Sequence, residues 1–118
     1  MINKPPRVNE ISPGEYNKCI QLTVQGKNYL RFAKRKDKSH SGILFNTLTT
    51  EFKITPRVTK DGIISPKGRS YELVGAGRFD KSDEKIILYG NSFDYQIGPN
   101  EEHAQEISKL TGLEIIVK

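Results

Sequence analysis

The sequence predicts a single α+β domain, and three observations carry that expectation. Five short segments have the alternating or continuous apolar character of strands, two longer ones have helical spacing, and Pro/Gly corners divide them. The chain has 118 residues, the length of one domain, which buries roughly two-thirds of its unfolded surface in one core and leaves no room for a second.

Residues 1–14, "MINKPPRVNEISPG", pair two prolines and add a Pro-Gly corner, so they read as an irregular arm on the surface, with the domain occupying 15–118. In "KCIQLTV" Cys19, Gln21 and Thr23 alternate with Ile20, Leu22 and Val24, the pattern of a half-buried strand. Gly26 turns the chain into "NYLRFA", and the two strands are expected to pair as a hairpin. From Ser41 to Phe52 the fourfold spacing of Leu44, Leu48 and Phe52, with Phe45 beside them, predicts a helix written in weakly helical, threonine-rich residues. Residues 52–70 hold Pro56, Pro66 and an Asp61-Gly62 turn signal, and read as an inserted short hairpin or excursion.

Strands are predicted at about Tyr71–Phe79 and Lys85–Tyr89 across "DKSD", with Ile86, Ile87 and Leu88 forming the continuous apolar run of a central strand. Pro99 suits the first turn of a second helix, and Glu101 and Glu102 complement its positive end. Ala104, Ile107 and Leu110 form its expected buried stripe and Gly112 ends it. "LEIIVK" supplies the last strand.

Composition narrows the chemistry. Apolar residues make up 35% and charged residues 28%, too many large apolar side chains for a disordered chain. One cysteine, Cys19, can form neither an internal disulfide nor a zinc cage, and no stretch approaches the roughly 20 apolar residues of a membrane span, so a cytoplasmic protein without membrane contact is expected. The net charge of +5 concentrates in "RFAKRKDKSH", where Arg31, Lys34, Arg35, Lys36 and Lys38 face one acid, Asp37. Such a run is either a solvated loop or a field that attracts phosphate on protein, nucleotide or nucleic acid.

Two histidines without clustered acids make poor metal sites, and there is no Walker loop, HExxH or telling Cys-His pair, so neither metal nor cofactor is expected. Candidate site residues gather around "LVGAGR" and "YGNSFDY". Gly75 and Gly77 would let the backbone approach a ligand while Arg78 offers a fork of donors to phosphate oxygens; alternatively they mark a strand bulge. The corner Gly90-Asn91-Ser92 can present backbone N–H groups and a hydroxyl to an anion. His40 can transfer a proton or attack phosphorus near neutral pH, whereas His103, four residues before Ile107 on the packing face, is expected to be structural before chemical.

In their order and spacing these residues resemble the janus, or phosphohistidine phosphatase, family, whose members pair a "GGGR" strand end with "YGYS" and a following histidine-bearing helix. Here the counterparts are "GAGR" and "YGNS", a lysine opening the first strand corresponds to Lys18, and a histidine opening a helix corresponds to His40 in "SHSGI". The likeness runs through most of Tyr16–Val117; Asn91 stands where the family has tyrosine, Asp94 places an acid in the loop, and the link "QIGPNEEH" is longer.

The resemblance implies a mixed sheet flanked by two helices. It also implies metal-independent removal of phosphate from phosphohistidine in proteins, with His40 catalytic. Lys18, Arg78 and the loop of Asn91, Ser92, Phe93, Asp94 and Tyr95 would hold the phosphate. That chemistry needs a proton on the leaving nitrogen and stabilised charge on the phosphoryl oxygens, which histidine and basic groups supply. The rival expectation is a non-enzymatic module of the same fold that binds a phosphorylated ligand or nucleic acid through the same basic pocket. An RNA-binding sheet is disfavoured because Tyr29 and Phe32 fall on opposite strand faces.

Overall fold

The computed structural model describes residues 18–33, 39–82 and 85–118, so the arm at 1–14 and the basic run Lys34–Lys38 lie outside the described residues. Two strands, β1 (Lys18–Val24) and β2 (Lys27–Phe32), precede helix α1 (His40–Asn46), which runs straight into a π-helical turn (Thr47–Glu51). After the 53–70 excursion come β3 (Tyr71–Lys81), β4 (Lys85–Tyr89), helix α2 (Glu101–Thr111) and β5 (Glu114–Val117). The five strands form one mixed sheet in the order β2-β1-β3-β4-β5, antiparallel except for β4 and β5. This is the predicted α+β architecture.

The first hairpin closes as the glycine suggests. Gln25 (φ 51°) and Gly26 (φ 81°) are both left-handed, the two-residue turn whose twist matches its strands. β1 is not half-buried, however. It lies between β2 and β3, and both of its faces are covered: Ile20 and Leu22 belong to the core under α1, while Cys19 packs with Phe32, Phe79, Ile86, Leu88 and Ile107 under α2. The centre of the sheet is β3 rather than the apolar β4, and of the β4 run Ile86 and Leu88 face the α2 core.

The predicted Ser41–Phe52 helix becomes seven α-helical residues and five π-helical ones. Thr47, Thr49 and Thr50 each donate a side-chain hydroxyl to the carbonyl four residues back, at 2.5–2.8 Å. In the π turn the backbone bond spans five residues, Phe52 N–H to Thr47 O, while the Leu48 carbonyl that Phe52 would meet in an α-helix accepts from Ile54 N–H instead. The wider turn suits the fourfold spacing: Leu44 and Leu48 are buried and Phe52 packs edge-on against Tyr29. It also aims Glu51 at Arg31.

That contact corrects the reading of the basic run at its first residue. Arg31 is buried, donating from Nε to Glu51 Oε1 at 2.8 Å, from Nη2 to Oε2 at 2.5 Å, and from Nη1 to Leu30 O. It belongs to the interior rather than to a phosphate-attracting surface.

In α2 the helix begins two residues after Pro99, with Asn100 as the cap, its side chain accepting from His103 N–H. Ala104 and Ile107 are buried as expected, but Leu110 is 71% exposed. The left-handed reversal at Gly112 brings Leu113 against the α2 core instead. The excursion contains a miniature hairpin, with Val58 bridging Ile64 around the Asp61-Gly62 turn.

Candidate functional site

The site is built where β1, β3 and the start of α1 meet. Lys18 and Arg78 are directly opposed across the β1–β3 ladder, one opening its strand and the other late in its own. His40 is the first residue of α1, whose cap is Ser39; the Ser39 Oγ accepts from Gly42 N–H. The imidazole reaches down so that its Nε2 lies 2.8 Å from the carbonyl of Gly77, the residue before Arg78.

A carbonyl only accepts, so Nε2 donates and the neutral ring keeps its lone pair on Nδ1. His40 is only 5% exposed, and its pKa falls below the ordinary 6.5 mainly through burial, helped by the positive charges of Lys18 and Arg78. The Gly77 carbonyl and the Asp94 carboxylate oppose that shift. Burial thus outweighs the basic neighbours in keeping this ring neutral, and His40 is no exposed loop residue.

Beyond β4, Gly90 (φ 76°) turns the chain away from the sheet, and a methyl group there would lie 3.7 Å from Cγ and Cδ of Arg78. Arg78 therefore lies along the start of the candidate loop. Within the loop Ser92 is buried: its N–H goes to Ile97 O, its carbonyl accepts from Gln96 N–H, and its Oγ accepts from Tyr95 N–H. Ser92 thus shapes its own loop, as does the Tyr95 N–H.

Tyr95 also has an anchoring part. Its hydroxyl donates to Ile64 O at 2.6 Å and its pKa is pushed up to about 12, chiefly by burial. Ile64 N–H in turn donates to Ser41 Oγ, so the excursion is clamped to both the loop and α1. Asp94 reaches α1 itself, its Oδ2 accepting from Ser41 N–H at 3.2 Å. Asn91 is exposed, Phe93 is 91% exposed, and both line an open depression with Ser92 and Gln96.

The structure thus brings together Lys18, His40, Arg78 and the Asn91–Tyr95 loop, and leaves His103 out. His103 lies on the other side of the sheet, on the inner face of α2, where Nε2 donates to Leu22 O and Nδ1 accepts from Gln21 Nε2, each at 3.2 Å. Burial lowers its pKa as well.

Gln21 completes that network by bonding both the N–H and the carbonyl of Asn100. Close approaches account for the two glycines. A methyl group on Gly75 would come within 2.3 Å of Gln21 Oε1 and 2.9 Å of Asn100 N, and one on Gly77 within 2.6 Å of Tyr89 O. Ala76 N–H bonds Gly98 O, so the link into α2 continues the sheet beside β3 where β4 has ended. The glycines make room for crossing protein backbone rather than for a ligand.

A bulge at Gln21/Leu22, where Val74 is the extra residue of β3, lets Leu73 and Ala76 share one face while Gly75 takes the other. Among the described residues no group of three His, Cys, Asp or Glu side chains is arranged to hold a metal ion, and no helix is long and apolar enough to cross a membrane. Tyr29 and Phe32 pack in opposite cores. No protein-family model matches the chain, and no curated protein matches it significantly.

Proposed function

We propose that the chain is a phosphoryl-binding hydrolase that cleaves the P–N bond of phosphohistidine, with His40 as its catalytic residue and without a metal requirement. The observation that carries this reading is the Nε2–H bond of His40 to Gly77 O. It fixes the tautomer and leaves the Nδ1 lone pair on a ring adjoining the Lys18–Arg78 pair. Burial keeps that ring neutral near neutral pH, the state a proton acceptor needs.

In the reaction Nδ1 accepts a proton from water as its oxygen bonds to phosphorus. The P–N electron pair moves onto the substrate imidazole, which already carries a proton on its other ring nitrogen and so leaves as neutral histidine; inorganic phosphate is released and His40 returns its proton to solvent. Lys18 and Arg78 offset the charge on the phosphoryl oxygens. Direct attack of Nδ1 on phosphorus uses the same lone pair, and trapping a phosphorylated His40 in a single turnover separates the two routes.

The second reading is a module that binds the phosphoryl group without turning it over. The Asp94 carboxylate beside His40 favours it, because a fixed anion lowers affinity for a transition state that gathers negative charge. The deciding assay is phosphate release from a phosphohistidine peptide in excess chelator. Turnover that falls about 10²-fold or more in His40→Ala supports the hydrolase. Full turnover in that variant sinks the role of His40, activity that needs an added divalent ion sinks the metal-free part, and binding without release leaves the module.

A further inference from the structure

The cradle has a resident acid. Asp94 Oδ2 is held on Ser41 N–H, one residue beyond His40, while His40 is bonded to the residue before Arg78 and Arg78 is opposed to Lys18. Lys18, Asp94 and Arg78 all act electrostatically on the His40 ring, the carboxylate against the two cations. With His40 neutral, two cations and one anion leave the four side chains with a single positive charge.

We propose that Asp94 is a specificity-determining residue that makes this cradle discriminate by ligand charge, favouring phosphoryl groups of net charge −1 over phosphomonoester dianions. The proposal rests on the reading that the cradle binds phosphoryl groups, and adds which ones. The Coulomb energy between a fixed charge and a ligand scales with the ligand's charge. If the carboxylate weakens a monoanion by some factor, it weakens a dianion held in the same place by the square of that factor.

A phosphoramidate protonated on nitrogen carries net charge −1, and it is also the form whose P–N bond is ready to break. A phosphomonoester dianion brings one negative charge more and no compensating proton. Asp94 therefore selects N-linked over O-linked phosphoryl groups through charge, with no contact to the leaving group required.

The test uses the full chain and two probes of fixed charge, inorganic phosphate at about pH 8 as a dianion and dimethyl phosphate as a monoanion. Both are titrated at constant ionic strength and followed by amide chemical shifts. Asp94→Asn keeps an acceptor for Ser41 N–H and removes the charge; Asp94→Ser is the second variant, so that a folding defect in one does not decide the outcome.

The expected result is phosphate affinity raised about tenfold or more and dimethyl phosphate affinity raised about threefold, the square-root relation. Unchanged or equal gains for both probes, with wild-type phosphate shifts still abolished by Lys18→Ala, overturn the role of Asp94 and leave the phosphoryl-binding reading standing. Shifts from neither probe in any of the three proteins overturn that reading and this inference together.

Discussion

Replacing Gly77 by alanine tests whether the glycines of β3 serve packing. The added methyl would lie 2.6 Å from Tyr89 O and 3.3 Å from two carbons of Pro99, whereas ordinary contact begins at 3.4 Å. Relief needs a shift of about 0.8 Å, the difference between 3.4 and 2.6 Å, and the obstructing atom is backbone. Tyr89 cannot yield easily, because it pairs with Arg78 and is followed by the left-handed Gly90. Overpacking of this kind costs about 1–3 kcal/mol. The backbone contact puts Gly77→Ala near the top of that range, offset by about 0.4–1 kcal/mol from the stiffer unfolded chain. The net expectation is a loss of about 2 kcal/mol, equivalent to a melting temperature lower by about 8 °C at the roughly 2.1 cal/mol/K of unfolding entropy per residue over 118 residues. The chain has no tryptophan, so urea denaturation is best followed by far-UV circular dichroism. A loss below about 0.5 kcal/mol, within the range of neutral surface changes, would refute the claim that crossing backbone dictates this glycine.

Three further outcomes are expected. Glu51→Gln leaves the Arg31 charge buried without its carboxylate and should lower stability by about 3–5 kcal/mol, while replacing both residues by apolar ones of similar volume should recover most of it in the same denaturation assay. His103→Ala removes the acceptor for Gln21 and the donor to Leu22 O, and should lower stability by roughly 1–3 kcal/mol without lowering turnover per folded molecule; a turnover defect at full stability would place His103 in the chemistry. Both histidines have folded-state pKa values below 6.5, so the unfolded chain binds the extra protons and stability declines as pH falls from about 6.5 through the folded values. Melting temperatures at pH 7.5, 6 and 5 should fall in that order and fall less steeply in His103→Gln, and a flat profile would contradict the buried neutral rings.

Local signals carried most of the architecture. The Gly26 corner, the apolar runs around "DKSD" and the acid-start, glycine-end signature of α2 are written within a few residues of one another, and the elements formed where those signals lay. The misreadings share a different cause. Arg31 reads as part of a basic loop because its partner Glu51 lies 20 residues away and comes into range only through the π turn. Gln21 reads as the polar face of a half-buried strand because Asn100 and His103 lie 79 and 82 residues distant.

At the candidate site, Lys18, His40 and Arg78 could be named from the sequence, but the reason for the two glycines could not. Their neighbours on the α2 side are the backbone of Tyr89 and Asn100 and the amide of Gln21. Ser92 is ambiguous in the sequence for a related reason. A serine beside a glycine looks equally suited to meeting an anion and to closing its own loop, and only the positions of Tyr95, Gln96 and Ile97 distinguish the two.

Cys19 gives the molecule a built-in reporter. It is the one thiol in the chain, sits opposite Gly77 across the β1–β3 ladder, and burial pushes its pKa up to about 12. Burial both hides the sulfur and disfavours its thiolate, so a thiol reagent reacts through transient opening of the strand pair rather than with the closed state. The same ladder opposes Lys18 to Arg78 and carries the carbonyl that holds His40. The labelling rate of a single atom therefore times how often the candidate site comes apart, and a ligand that bridges the two strands should slow that clock in proportion to its occupancy.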